Sequence, residues 1–190
     1  MGREKYLKKI KELFKISHVV DFSSIQRIIR KKPYAKQLIK NLIKKGEIKK
    51  IAKGFYTARD DPSVAVFCFK PAYLGLQDAL SFHDLWEQET IPVILTSRKV
   101  RQGIRKIMGT NVLIRRLDAK YLFGYDYYRQ GDIYLPYSDI EKTLIDMVYF
   151  KEKLDEEVIR NIKINMKKLD LYLKRYPKSS KNSIRTKIVA

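Results

Sequence analysis

The chain has 190 residues, of which 45% are apolar, and a formal net charge of +20. That apolar share is enough for the core of one domain or two small ones, and no run is apolar enough to predict a bilayer span or a secretory signal. So strong a positive charge favours nucleic acid or an anionic membrane surface as the partner, with a solvated lysine-rich surface as the alternative. The single cysteine, Cys68, cannot form an internal disulfide, so we expect a reducing cytoplasm.

The positive charge is unevenly distributed along the chain. Residues 1–60 carry a net charge of +13, residues 61–150 carry none, and residues 151–190 carry +7. A coat of lysines that served solubility alone would not leave the middle of the chain neutral. The pattern therefore predicts a basic N-terminal module, a neutral body and a basic C-terminal region.

Three helices and a hairpin are predicted for the first sixty residues. Apolar residues recur at helical spacing over residues 3–16, and Ser23 has the character of an N-cap before a second, short helix. Pro33 suits the first turn of a third helix, and Gly46 suits its end. The segment EIKKIAKGFYT then predicts a β-hairpin with glycine at the turn. Three helices followed by a hairpin predict a winged helix-turn-helix.

The third helix has two faces of different character. At about 100° per residue, one face collects the apolar residues Ala35, Leu38, Ile39, Leu42 and Ile43. The candidate DNA-binding residues lie on the polar part of this helix and in the hairpin: Tyr34, Lys36, Gln37, Lys40, Asn41, Lys44, Lys50 and Lys53. Lysines suit phosphate contacts, whereas the two amides suit bidentate contacts to an adenine edge. A winged helix used for protein contacts is the alternative.

The rest of the chain alternates strand and helix patterns, so we predict an α+β protein: an N-terminal winged helix-turn-helix followed by a mixed α/β C-terminal domain ending in helices. Asp60-Asp61-Pro62 marks the first boundary, which gives domains over residues 1–60 and 61–176 and a mobile basic tail over residues 177–190. The predicted elements are strands over 64–69, 91–97 and 111–118, helices over 75–86 and 98–109, a strand pair turning at Gln130-Gly131-Asp132, a helix with a Ser138–Glu141 capping box, and final helices to about residue 176.

Catalytic and metal-binding patterns are missing from the sequence. The two histidines are far apart, no Cys/His cluster has ligand spacing, and no P-loop or nucleophile elbow is present. We therefore expect no enzymatic activity, no metal and no cofactor. A second basic patch, Arg98, Arg101, Arg105, Arg115 and Arg116, would extend a DNA footprint or meet an RNA or acidic partner; a solvated helix face is the alternative.

Several short motifs, in order, resemble those of the AbiEi family of type IV toxin–antitoxin antitoxins and related transcriptional regulators. The motifs are Gly54-Phe55-Tyr56, Asp61-Pro62, Pro71-Ala72-Tyr73-Leu74-Gly75 with Ala79-Leu80 and His83, Pro92-Val93-Ile94-Leu95-Thr96, and Glu141-Lys142-Thr143-Leu144-Ile145-Asp146. The resemblance covers roughly residues 20–150.

The resemblance implies a winged helix that binds double-stranded DNA at an inverted repeat in its own promoter and represses transcription. It also implies a C-terminal domain that counters a nucleotidyltransferase-type toxin without forming a stable complex with it. The alternative is an RNA- or protein-binding adaptor that neutralises such a toxin through the basic C-terminal domain. No membrane partner is expected in either case.

Overall fold

The computed structural model describes residues 2–154 and 162–189 as a mixed α+β protein. The chain divides into two compact units: unit 1 holds residues 1–68 with 106–110, and unit 2 holds residues 69–105 with 111–190. The predicted boundary after residue 60 is therefore too early. The segment Pro62–Cys68, which contains most of the predicted strand over 64–69, is a 3₁₀ helix with buried apolar side chains that belongs to unit 1.

Unit 1 has three helices and a small antiparallel sheet. Its elements are α1 (Gly2–Ile16), β1 (Val20–Asp21), α2 (Phe22–Ile29), α3 (Lys32–Lys44), β2 (Lys49–Ala52) and β3 (Phe55–Thr57). The strands lie in the order β1-β3-β2. The predicted hairpin is confirmed, with Lys53 and Gly54 at its turn and Gly54 at a φ of +82°.

The three helices of unit 1 enclose one apolar core. The buried side chains come from the three helices, from β1 and from the residue before β2, among them Ile10, Ile25, Leu38 and Ile48. The N-cap of α2 is Asp21 and not the predicted Ser23. The Asp21 carboxylate accepts a hydrogen bond from the Ser24 amide at 2.8 Å, so the aspartate satisfies the first free N–H groups of the helix.

A six-stranded mixed sheet has the order β6-β7-β5-β4-β9-β8, and most of its residues belong to unit 2. Its strands are β4 (Ala72–Leu74), β5 (Val93–Thr96), β6 (Gly103–Ile107), β7 (Thr110–Arg116), β8 (Tyr125–Gln130) and β9 (Ile133–Ser138). The pairs β4–β9 and β5–β7 are parallel, and the pairs β4–β5 and β8–β9 are antiparallel. Among the described residues, the α-helices of unit 2 are α4 (Gln77–Phe82), α5 (Ile140–Tyr149), α6 (Met166–Leu173) and α7 (Lys178–Val189). The predicted strand pair turning at Gly131 is confirmed.

The predicted basic helix over residues 98–109 is wrong. Residues 103–107 form strand β6, and Met108 and Gly109 turn the chain into β7 with positive φ values of 53° and 87°. Gly103 also has a positive φ of 112°, which a helix interior does not accommodate. The basic residues of this segment therefore follow a strand and the turns on either side of it.

The prediction of a mobile tail over residues 177–190 is also wrong. Residues 178–189 form α7, and its Ile184 and Ile188 are buried in the core of unit 2. Two apolar side chains four residues apart share one helix face, and burying that face stabilises the helix against fraying. The part of the predicted C-terminal helices at residues 155–161 lies outside the described residues.

The start of α5 differs from the predicted capping box. Asp139 is the N-cap, and its carboxylate accepts a hydrogen bond from the Lys142 amide at 2.9 Å. Ser138 is buried instead, and its hydroxyl lies 2.7 Å from that of Thr143. The aspartate that follows the predicted serine takes its place because Ser138 still belongs to strand β9.

Candidate nucleic-acid interface

Helix α3 is held in unit 1 by one apolar face. Ala35, Leu38, Ile39 and Leu42 are all buried in the core, as the periodicity predicts. Ile43 departs from the prediction because its side chain remains 38% exposed. The rest of the helix surface is polar, and it faces away from the core of unit 1.

Five exposed lysines of α3 and of the β2–β3 hairpin carry charge that no ion pair compensates among the described residues. Lys36, Lys40, Lys44, Lys50 and Lys53 are all exposed, and none of them pairs with a carboxylate in the described part of the chain. The name lysine face refers below to these five residues. Unpaired cations on a small unit produce a positive potential that attracts polyanions.

Acidic residues of unit 1 are engaged elsewhere. Glu47 pairs with Lys11 at 2.7 Å, and Asp60 pairs with Lys49 at 2.5 Å. The hydrogen bond from Lys11 lowers the pKa of Glu47, and that from Lys49 lowers the pKa of Asp60. Both carboxyls therefore stay ionised at neutral pH and are neutralised by lysines that are not part of the lysine face.

The hairpin is fixed to the helices by its turn. The Phe22 amide, at the start of α2, donates a hydrogen bond to the Gly54 carbonyl at 2.7 Å. Strand β3 pairs with β1 on one side and with β2 on the other. This anchoring holds Lys50 and Lys53 in a defined place on the same unit as α3, so both elements can act on one ligand.

Gln37 and Asn41 interact with each other. Gln37 Nε2 donates a hydrogen bond to Asn41 Oδ1 at 3.1 Å, across one turn of α3. A bidentate contact to adenine needs both the oxygen and the nitrogen of an amide. Asn41 would have to release this bond, or share its oxygen, to make such a contact. The exposed pair is worth only a few tenths of a kcal/mol, about 0.2–0.5, so a base edge competes with it easily.

Tyr34 does not share the exposure of the lysines. Its ring packs edge-on against Tyr6, with ring centroids 6.1 Å apart, and its hydroxyl is buried without a hydrogen-bond partner in the described residues. The side chain belongs to the edge of the unit 1 core. Its position supports the start of α3 and does not present the hydroxyl at the surface.

One arginine of the second basic patch is engaged in an ion pair, and the five arginines differ in their surroundings. Arg115 is half-buried and bound to Glu152 at 2.7 Å, and Arg105 donates to the Arg101 carbonyl at 2.5 Å while lying over Phe69. Arg116 follows Arg115 on strand β7, so the two side chains point to opposite faces of the sheet. Arg98 lies in the segment before β6 and is exposed.

Two residues that the sequence analysis did not assign to the site lie beside the lysine face. Tyr56 and Ile43 line a cleft in unit 1 together with Lys36, Lys40 and Lys50. The signal for Tyr56 was present in the sequence, because a hairpin turning at Lys53-Gly54 brings its two strands side by side. The register, with Lys50 opposite Tyr56, became known only from the strand pairing.

Unit 2 contains a buried polar cluster with different chemistry. Lys142 and Asp146, one turn apart on α5, are both fully buried and form an ion pair, and the Tyr73 hydroxyl donates to Asp146 at 2.6 Å. Burial lowers the pKa of Lys142 and raises that of Asp146, while each partner opposes the shift of the other. Both side chains have zero exposure, so the pair belongs to the packed core of unit 2.

Metal-binding and membrane-spanning features are missing from the described ranges, 2–154 and 162–189. No group of three or more His, Cys, Asp or Glu side chains gathers there in a way that could hold a metal ion. No helix in the same ranges is both long and apolar enough to cross a bilayer.

Comparison with known proteins assigns no family. No protein-family model matches the chain, and no curated protein sequence gives a significant match to it. The resemblance to the AbiEi family therefore stays a prediction from short motifs.

Proposed function

We propose that unit 1 is a winged helix-turn-helix that binds double-stranded DNA, with α3 in the major groove and the β2–β3 hairpin as the wing. The lysine face carries this proposal: five exposed lysines lie on a helix and a hairpin fixed to the same core, and none has a carboxylate partner among the described residues. The element order, three helices with a short strand between the first two and a hairpin after the third, is the order that the winged helix requires.

Affinity and sequence preference come from different residues in this proposal. The lysine face neutralises phosphates, which supplies binding energy that depends on salt and hardly on sequence. Gln37 and Asn41 read base edges in the major groove, and each good bidentate contact discriminates by about 1–3 kcal/mol. The hydrogen bond between the two amides is weak enough to be exchanged for contacts to base edges.

The wider proposal is a transcriptional repressor that acts on an inverted repeat in its own promoter, as the antitoxin of a type IV toxin–antitoxin pair. The motif resemblance supports this part, and the partner is a nucleotidyltransferase-type toxin with which no stable complex forms. The adaptor alternative has less support, because it needs the second basic patch and Arg115 is already bound to Glu152.

The decisive experiment compares the DNA upstream of the gene with a scrambled duplex by fluorescence anisotropy over a salt series. A specific repressor should prefer the upstream duplex by about 10³-fold or more. Gln37→Ala should reduce this preference, whereas Lys53→Ala should weaken both duplexes alike and lower the salt slope by about one. Lys174→Ala removes the same charge from unit 2 and serves as the control. Equal binding of both duplexes by the wild type would refute sequence-specific recognition.

A further inference from the structure

A cleft lies between α3 and the hairpin within unit 1. It has a volume of about 260 Å³, and its lining residues are Lys36, Ile39, Lys40, Ile43, Lys50 and Tyr56. The helix residues fall at positions i, i+3, i+4 and i+7, so they form one stripe along α3. Lys50 and Tyr56 are directly opposite each other in the β2–β3 pair, so their side chains lie on the same face of the hairpin. The name helix–hairpin cleft refers below to this site.

The polar side chains that line the helix–hairpin cleft end in three ammonium groups and one neutral hydroxyl, so none of them carries a negative charge. Three lysine ammonium groups surround it, no carboxylate lines it, and the three lysines have no acidic partner among the residues that the structure describes. The Tyr56 hydroxyl makes no side-chain hydrogen bond within the same residues. Burial raises the pKa of Tyr56, so its hydroxyl stays protonated at neutral pH and can donate a hydrogen bond to an anion.

The floor of the helix–hairpin cleft is apolar. Ile39 is buried, while Ile43 is 38% exposed although it lies on an otherwise apolar helix face. A site for a free inorganic ion would not need such a floor. A backbone phosphate brings its deoxyribose with it, and the sugar carbons can cover the exposed isoleucine. The volume also lies below the roughly 300–1,000 Å³ of sites for whole small-molecule ligands.

We propose that the helix–hairpin cleft holds one backbone phosphate of bound DNA, gripped from the helix side by Lys36 and Lys40 and from the hairpin side by Lys50 and Tyr56. The inference rests on the proposed function and extends it. Helix α3 and the wing are joined through a single phosphate, which fixes how deeply α3 enters the groove. Tyr56 is thereby a DNA-binding residue, and Ile43 is the apolar contact of the adjoining sugar.

The proposal is tested on the full-length chain with ¹³C-labelled isoleucine δ1 methyl groups, which place NMR probes at Ile39 and Ile43. The ligands are the upstream duplex, the scrambled duplex and inorganic pyrophosphate. Both duplexes should shift the Ile43 methyl resonance. Pyrophosphate should shift it in the wild type and in Lys32→Ala, but not in Lys50→Ala. Lys32 is the matched control because it is an exposed lysine of α3 that neither lines the cleft nor belongs to the lysine face.

The Tyr56→Phe variant separates the hydroxyl from the ring. It keeps the packing of Tyr56 on the unit 1 core and removes one donor to a charged acceptor. Both duplexes should bind about tenfold more weakly, with an unchanged salt slope because no charge is lost. Binding at wild-type strength, with an Ile43 methyl that neither duplex shifts, would overturn the cleft assignment while leaving DNA binding intact.

Failure of the proposed function gives a different result. If neither duplex binds, unit 1 is not a DNA-binding module, and the pyrophosphate titration alone decides about the cleft. A saturable Ile43 shift that disappears in Lys50→Ala would still support a phosphate site there. The absence of any shift would refute it.

Discussion

Replacing Lys142 by methionine should destabilise unit 2 strongly and make its stability depend on pH. The substitution removes the ammonium group but keeps a flexible apolar stem against the rings of Phe123 and Tyr73, which lie 5.0 and 5.6 Å from the lysine nitrogen. Among the described residues, Asp146 then keeps the hydrogen bond from Tyr73 alone, in a fully buried position. Breaking a buried pair from one side costs about 3–5 kcal/mol.

The magnitude follows from the fate of the Asp146 carboxyl. Burial without a cation favours the neutral acid, so in Lys142→Met the folded protein takes up a proton that the unfolded chain, with a pKa of about 3.9, does not hold at pH 7. Protonation across three pH units costs about 4 kcal/mol. Because the folded state then binds one proton more than the unfolded state, stability must rise as the pH falls. It should rise by about 1.4 kcal/mol per unit between pH 7 and pH 5.

The assay is urea unfolding followed by tryptophan fluorescence. Trp86 is the only tryptophan of the chain, and it packs against the core of unit 2, so it reports on that unit. The double variant Lys142→Met/Asp146→Leu should have a free energy of unfolding close to that of the wild type, and the gap between the two proteins should be the same at pH 5 and pH 7. Arg185→Ala is the surface control, because its partner Asp170 and Arg185 itself are about half exposed, at 45% and 46%. It should lose about 1 kcal/mol or less.

The reasoning would be refuted if Lys142→Met lost no more stability than Arg185→Ala, or if its deficit were the same at pH 5 and pH 7. The first result would mean that leaving Asp146 without its cation costs little in this buried position. The second would mean that Asp146 stays ionised in the folded variant, which requires access to water that the wild-type burial does not provide.

Three further predictions address the caps, the turns and the C-terminal helix. Asp21→Ala should lower the free energy of unfolding by about 1 kcal/mol, measured by circular dichroism melting. The hydrogen bond from Ser23 lowers the pKa of Asp21 in the folded protein. The stabilisation by Asp21 is therefore present above the unfolded pKa of about 3.9 and is lost as the pH falls through the folded pKa. Gly124→Ala should cost about 2 kcal/mol or more in Trp86-monitored urea unfolding, because Gly124 has a φ of +68° and a Cβ there would lie 2.9 Å from that of Lys142. Ile184→Ala should cost about 2–5 kcal/mol in the same assay.

Each of these predictions has an outcome that would contradict it. A constant Asp21→Ala deficit down to pH 2 would show that the carboxylate charge does not matter to the cap. A Gly124→Ala variant as stable as the wild type would mean that this turn relaxes freely. An Ile184→Ala effect within about 0.5 kcal/mol of zero would fit an undocked tail rather than a packed α7.

The sequence by itself determined the local features of this protein. Periodicity identified the buried face of α3, from Ala35 to Leu42, and the charge distribution separated the basic N-terminal module from the neutral body. The turn at Gly54 and that at Gly131 were predictable because each depends on a few neighbouring residues and their allowed backbone conformations.

Tertiary structure decided the features that depend on residues distant in the chain. The basic segment around Arg105 became a strand because β7 pairs with it, although its local sequence also permits a helix. Ile184 and Ile188 docked because unit 2 offers an apolar surface that no local pattern reveals. Arg115 forms an ion pair with Glu152 and so adds no unpaired charge to the second basic patch. Lys50 and Tyr56 line one cleft with residues of α3. Ion pairs and clefts of this kind form only where folding brings separate segments within a few ångströms of each other.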